Sequence, residues 1–89
     1  MKRWTQIFKA LANTNRLGII KLLSDGKERH VSDIAASIHV SLPGTSRHLI
    51  LLSNLDILNS TGKDGHVYYC ANPQLPIDLK KSLELFLKK

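Results

Sequence analysis

Apolar residues near the start of the chain recur every three to four positions, so Trp4, Ile7, Phe8 and Leu11 fall on one stripe of a first helix. Asn13 reads as the cap of a second helix, which carries Leu17, Ile20 and Leu23 inward with Ile19 on a flank. Gly26 ends it, because a residue without a Cβ enters the left-handed conformation at no steric cost. Val31, Ile34, Ala35 and Ile38 make a short third helix, capped by His30 or Ser32, whose small alanine suits close crossing by a neighbour. His39 and Val40 form a turn. Ser41 then caps a fourth helix, with Pro43 in its first turn, where the missing amide would have had no partner. This helix runs to about Asn54 and directs Leu49, Leu52 and Leu55 inward, with Thr45 one turn earlier. Ile50 and Leu51 are surplus apolar surface that another element is expected to meet.

From Ile57 the pattern becomes that of short strands, Ile57 to Thr61 and His66 to Cys70. Gly62, Lys63, Asp64 and Gly65 join them, and Asp-Gly is a strong signal for a tight hairpin turn. Asn72, Pro73 and Pro76 break the chain, after which Ile77, Leu79, Leu83, Phe86 and Leu87 form the apolar side of a last helix. The expected fold is mainly α with a small β-hairpin, a winged helix-turn-helix of order α-α-α-α-β-β-α. It is expected to occupy residues 1–89 as a single domain whose terminal helices serve dimerisation.

Eighty-nine residues suffice for one modest core. Thirteen Lys and Arg against seven Asp and Glu leave a formal charge of +6, which favours polyanions or an anionic membrane surface without choosing between them. Lys2, Arg3, Lys80, Lys81, Lys88 and Lys89 crowd the two ends, where they serve solubility as readily as binding. Arg16, Lys27, Arg29, Arg47 and Lys63 fall near the structural elements. The one cysteine, Cys70, allows no internal disulfide and no four-cysteine zinc site, which points to a reducing compartment and a cytoplasmic protein. Thr5, Gln6 and Lys9 interrupt any signal-like apolar run after Lys2 and Arg3, and no apolar stretch approaches the roughly 18 residues of a membrane span. No membrane partner and no cofactor are expected. An enzyme is not expected either, because no nucleophile-base pair, acidic pair or phosphate-binding glycine loop appears.

Two helices separated by a short turn form the motif whose second helix enters the DNA major groove, and that groove shows a different donor and acceptor pattern for each base pair. The side chains expected to read DNA from the fourth helix are Ser41, Gly44, Thr45, Ser46, Arg47 and His48. Arg47 suits a paired contact to guanine or a phosphate, and Gly44 in the helix's first turn would let the backbone approach a phosphate. Lys27, Arg29, Lys63 and His66 are expected to touch the phosphate backbone or minor groove.

The stretch Phe8-Lys9-Ala10-Leu11-Ala12-Asn13-Thr14-Asn15-Arg16-Leu17 resembles the junction of the first two helices in the ArsR/SmtB family of winged-helix repressors. Ser46-Arg47-His48-Leu49 with Leu52 and Leu55 to Leu58 resembles that family's recognition helix, and Gly65-His66-Val67-Tyr68-Tyr69 its second wing strand, where arginine commonly stands in place of His66. The three matches occur in the family's order and cover about residues 4 to 72. The resemblance implies a homodimer held by the first and last helices, double-stranded DNA with an imperfect inverted repeat as partner, and repression by promoter occupancy. Trp4, Ile7, Phe8, Leu11, Leu79, Leu83, Phe86 and Leu87 are the expected interface, although the same residues suit closure over the chain's own core.

Many members of that family release DNA on binding metal through cysteines in the third helix or acids and histidines in the last. This chain departs from the pattern: the third helix has no cysteine, and the last has only Asp78 and Glu84. Cys70 and His66 supply two donors at most per chain, short of the clustered thiolates or four ligands that such sites need, so no metal is expected. Cys70 is expected to be a half-buried strand residue. The alternative function is a winged-helix module that binds another protein and has little specific affinity for DNA, since fold alone does not settle function.

Overall fold

A computed structural model of the chain describes residues 1–75 and 77–88. Helices α1 (Lys2–Leu11) and α2 (Thr14–Leu22) lead into a 3-10 turn at Leu23–Asp25 and a two-residue strand, β1 (Arg29–His30). Next come α3 (Val31–Ile38) and α4 (Leu42–Asn54), the hairpin β2 (Leu58–Lys63) and β3 (His66–Ala71), and α5 (Ile77–Leu87). The fold is thus mainly helical with a small antiparallel sheet, the winged helix-turn-helix topology that the apolar pattern implied. Pro76 and Lys89 lie outside the described residues.

Local chemistry sets most boundaries. The Asn13 side chain accepts from the Arg16 amide at 3.1 Å and so starts α2, and Gly26 ends the following turn at φ 79°. His30 caps α3: its Nδ1 accepts from the Ser32 amide at 3.1 Å. Helix α4 stops in a Schellman-type turn, with Asp56 left-handed at φ 61° and the Ile57 amide reaching back to the Leu52 carbonyl at 3.0 Å. Arg3 of α1 reinforces this end, donating to the Leu55 carbonyl at 3.3 Å, where a cation also suits the negative pole of the helix.

The hairpin turns on Asp64 and Gly65, both at positive φ, as a two-residue type I′ connection requires. Register runs from Leu58 opposite Ala71 to Lys63 opposite His66, so β2 starts one residue later and ends two later than alternation suggested, and β3 ends one later. The extra strand β1 pairs with β3, Arg29 opposite Tyr69 and His30 opposite Tyr68, giving the order β1-β3-β2. Two residues are too short to show periodicity, which is why β1 left no trace in the pattern.

A single cluster of buried side chains links α1, α2, the 3-10 turn, α3, α4, the strands and α5. Ile19, Leu23, Ile34, Leu49 and Leu52 are fully buried, each contributing about 1.5–3 kcal/mol of transfer free energy. Among the described residues no helix is long and apolar enough to cross a membrane.

Candidate nucleic-acid interface

Helix α4 is held by one face only. Thr45, Leu49 and Leu52 are buried, and the opposite face presents Pro43, Arg47, Ile50 and Asn54 at helical spacing, all exposed. No carboxylate lies on the helix, and among the described residues Arg47 makes no hydrogen bond or ion pair. Ser46 is half-buried beside it. An anchored helix with an unpaired guanidinium on its free side has the shape and charge to enter a groove lined with acceptors.

Three residues expected on that surface are otherwise engaged. Thr45 is 0% exposed and faces the core, so it is withdrawn from the DNA-facing set. The reason is its spacing, one turn before Leu49 and two before Leu52. The Ser41 hydroxyl accepts from the Gly44 amide at 3.2 Å, so the first-turn amide that would have met a phosphate is already satisfied. A Cβ on Gly44 would lie 3.0 Å from the Ser41 hydroxyl and 3.1 Å from the Val40 side chain. Glycine therefore serves the tight helix-turn-helix corner, rather than the open approach to a ligand that the sequence suggested.

At the wing the cations have acidic partners. Lys63 Nζ lies 2.6 Å from Glu28 Oε1 and above the Tyr68 ring, 5.8 Å from its centroid. Arg29 grips Asp25 with two hydrogen bonds, 3.0 and 2.8 Å. The arginine and the Lys27 amide hold the Asp25 carboxyl well below the usual range; Lys63 likewise lowers Glu28 and is itself raised by it. Lys27 is exposed, and its side chain has no partner among the described residues. His66 is exposed, with its ring edge-on to His30 at 5.0 Å. Asp25 and Glu28 were not singled out from the sequence: Asp25, at the end of the 3-10 turn, meets Arg29 only four residues on, whereas Glu28, in the loop before β1, meets Lys63 across 35 positions.

His48 is half-buried on the flank of α4 rather than on its free face, and its Nδ1 accepts from Arg16 Nε at 3.2 Å. Burial first, then the nearby charges of Arg16 and Arg47, push its pKa below the ordinary value. Arg16, Arg47, Lys9 and Ile50 line an open cleft of about 810 Å³ between α1 and α4.

The terminal helices divide differently from expectation. Ile7 at 2%, Leu79 at 2% and Leu83 at 7% exposure belong to the chain's own core, which corrects their assignment to an interface. Trp4, Leu11 and Leu87 are half-buried against that core. Phe8 at 65% and Phe86 at 42% remain open, as do Leu85 and Ile77, which the apolar stripe had not marked as interface. Cys70 is half-buried and faces a hollow of about 390 Å³ that Ile57, Leu58, Leu83 and Leu87 also line. Among the described residues no three His, Cys, Asp or Glu gather as a metal-ligand cluster.

An anchored helix-turn-helix with a two-stranded wing packed beside it defines a winged helix-turn-helix regulator. The model described as "Bacterial regulatory protein, arsR family" matches residues 13–60, and the chain belongs to that family. It is 39% identical over 71 residues to the arsenical resistance operon repressor of Escherichia coli, an alignment covering 80% of this chain and 61% of that protein. The chain therefore spans less than two thirds of that relative's length. HlyU from Vibrio cholerae superposes with a TM-score of 0.81 at 25% identity, over 98% of this chain and 90% of the other. The homodimeric winged helix-turn-helix DNA-binding domain Mb0332 from Mycobacterium bovis gives 0.79 at 28%, over 96% and 75%. Family and fold are those of regulators, not enzymes.

Proposed function

We propose that this chain is a sequence-specific double-stranded DNA-binding repressor that acts in the cytoplasm as a homodimer on an inverted repeat, with residues 1–89 working as one domain. The observation that carries the reading is the free face of α4, where Arg47 stands exposed and unpaired on a helix without carboxylates. Arg47 and Ser46 would meet base edges or phosphates, and Lys27 and His66 would track the backbone, with Lys63 joining them only on release from Glu28. The similarity to a named operon repressor and to a homodimeric DNA-binding domain supports both halves of the proposal. Phe8 and Phe86, exposed on the two terminal helices, would be covered by a second copy. Two-fold symmetry would then set paired recognition helices about 34 Å apart, one turn of DNA.

A protein-binding winged-helix module is the second reading. In its favour, Arg29 and Lys63 are already neutralised by Asp25 and Glu28, which leaves fewer free cations for phosphates than the net charge suggests. Selection of duplexes from a random pool, followed by binding across a salt series, separates the two. The DNA reading expects enrichment of a two-fold-related site whose affinity falls steeply with salt. A stable dimer that enriches no sequence would reject it.

A further inference from the structure

Arg16 joins three elements. It sits in the first turn of α2, and its Nη1 donates to the Ala10 carbonyl at 3.1 Å and to that of Lys9 at 3.4 Å, at the end of α1 where carbonyls lack helical partners. Its Nε donates to Nδ1 of His48 on α4. Neither Arg16 nor His48 has a carboxylate partner among the described residues.

The bond to His48 has only one sense. A guanidinium can donate and never accept, so Nδ1 must carry a lone pair and the imidazole proton must sit on Nε2. Nε2 has no hydrogen-bond partner among the described residues. His48 is half-buried, so part of its side chain meets solvent. Burial and the two flanking arginines favour the neutral ring, which keeps this arrangement in place at neutral pH. The result is a single N–H donor of fixed identity on the recognition helix, one position after Arg47.

We propose that Arg16 is a positioning residue for recognition, holding His48 as an Nε2–H donor that reads a hydrogen-bond acceptor on the DNA duplex. This rests on the DNA-binding reading of α4. A free histidine offers either a donor or an acceptor at Nε2 as its tautomer changes. Fixed as a donor, it favours the ring nitrogens and carbonyl oxygens of guanine, adenine and thymine, or a phosphate oxygen, and opposes the amino groups of cytosine and adenine.

Two substitutions at His48 separate this role from a merely structural one. In His48→Gln the amide nitrogen reaches about as far as Nε2, so the donor survives while the acceptor for Arg16 is lost. In His48→Asn the side-chain oxygen stands near Nδ1, so Arg16 is satisfied while the donor is lost. On a duplex selected by the wild-type protein, the Asn variant is expected to bind about two- to tenfold more weakly, the typical value of one neutral hydrogen bond, and the Gln variant to stay near wild type. If the acceptor is a base, reselection with the Asn variant relaxes one position of the site; if it is a phosphate, one neutral methylphosphonate in the duplex removes the difference between wild type and Asn. Long-range proton–nitrogen spectra of the free protein are expected to show the His48 proton on Nε2 in the wild type and a mixture of tautomers in Arg16→Met, whose side chain has no donor. A wild-type proton on Nδ1, or full binding by Asn with loss by Gln, overturns the proposal while leaving DNA binding intact. A wild type that enriches no duplex overturns both, and the spectrum then shows whether the tautomer itself was correctly assigned.

Discussion

Thr45 gives the sharpest test of how α4 is seated. Its side chain is fully buried, yet Oγ1 has no hydrogen-bond partner, although its own amide bonds the Ser41 carbonyl at 2.9 Å. A hydroxyl buried without a partner costs about 1–3 kcal/mol by mutational measures. Thr45→Val replaces it with a methyl of nearly the same shape, and the two residues have similar helix propensities, so little else changes. The expected gain lies toward the lower end, about 1 kcal/mol, because a threonine in a helix can turn to share the carbonyl four residues back. For a domain of this size that raises the melting temperature by about 4–8 °C. Thermal and urea unfolding of the two proteins measure it, and duplex binding measured in parallel should not change. A loss of stability would show that the hydroxyl is satisfied in solution. A large loss of DNA affinity with the fold intact would show that Thr45 faces the groove, and the placement of α4 argued above would be wrong.

Other expectations follow from the charge partners and the open apolar residues. Glu28→Gln should free Lys63, raising duplex affinity at low salt and steepening the salt dependence by up to roughly 0.9 in the logarithmic slope, one added phosphate contact; combining it with Lys63→Ala should abolish the gain, and persistence of the gain would assign it to something other than Lys63. Phe86→Glu should convert dimer to monomer in sedimentation with the circular dichroism unchanged, whereas Leu83→Glu should unfold the chain because Leu83 is core. A folded, fully dimeric Phe86→Glu protein at low concentration would remove Phe86 from the interface. His48 has a folded pKa below its ordinary value of 6.5, so the unfolded chain binds the proton more readily. Its contribution to stability is complete above that value and is lost as pH falls through the folded pKa. Urea unfolding at about pH 7.5 and about pH 5.5 should show this loss, and His48→Gln should reduce it; an equal loss in both proteins would place the effect on other groups.

Caps, breakers and apolar spacing are local properties, and they carried most of the fold. Asn13, Ser41, Gly26 and the Asp64-Gly65 turn act through bonds and torsions within a few residues, so their roles follow from the order of amino acids alone. The exposed face of α4 with Arg47 was likewise visible, because 3.6-residue spacing that buries Leu49 and Leu52 must turn Arg47 outward. Thr45 shows the limit of that reasoning: its spacing pointed inward while its hydroxyl suggested DNA, and packing decided the matter.

What the linear order could not determine was which partners distant residues find. Glu28 meets Lys63 across 35 positions, and Arg16 meets His48 across 32, so neither ion pair nor tautomer can be inferred from neighbours in sequence. The same holds for the terminal helices, where one apolar stripe supplies both Ile7 for the core and Phe8 for the surface. Spacing says which residues share a face. Only the assembled core shows how wide a strip of that face it covers, because burial depends on where the other helices lie and not on the stripe itself.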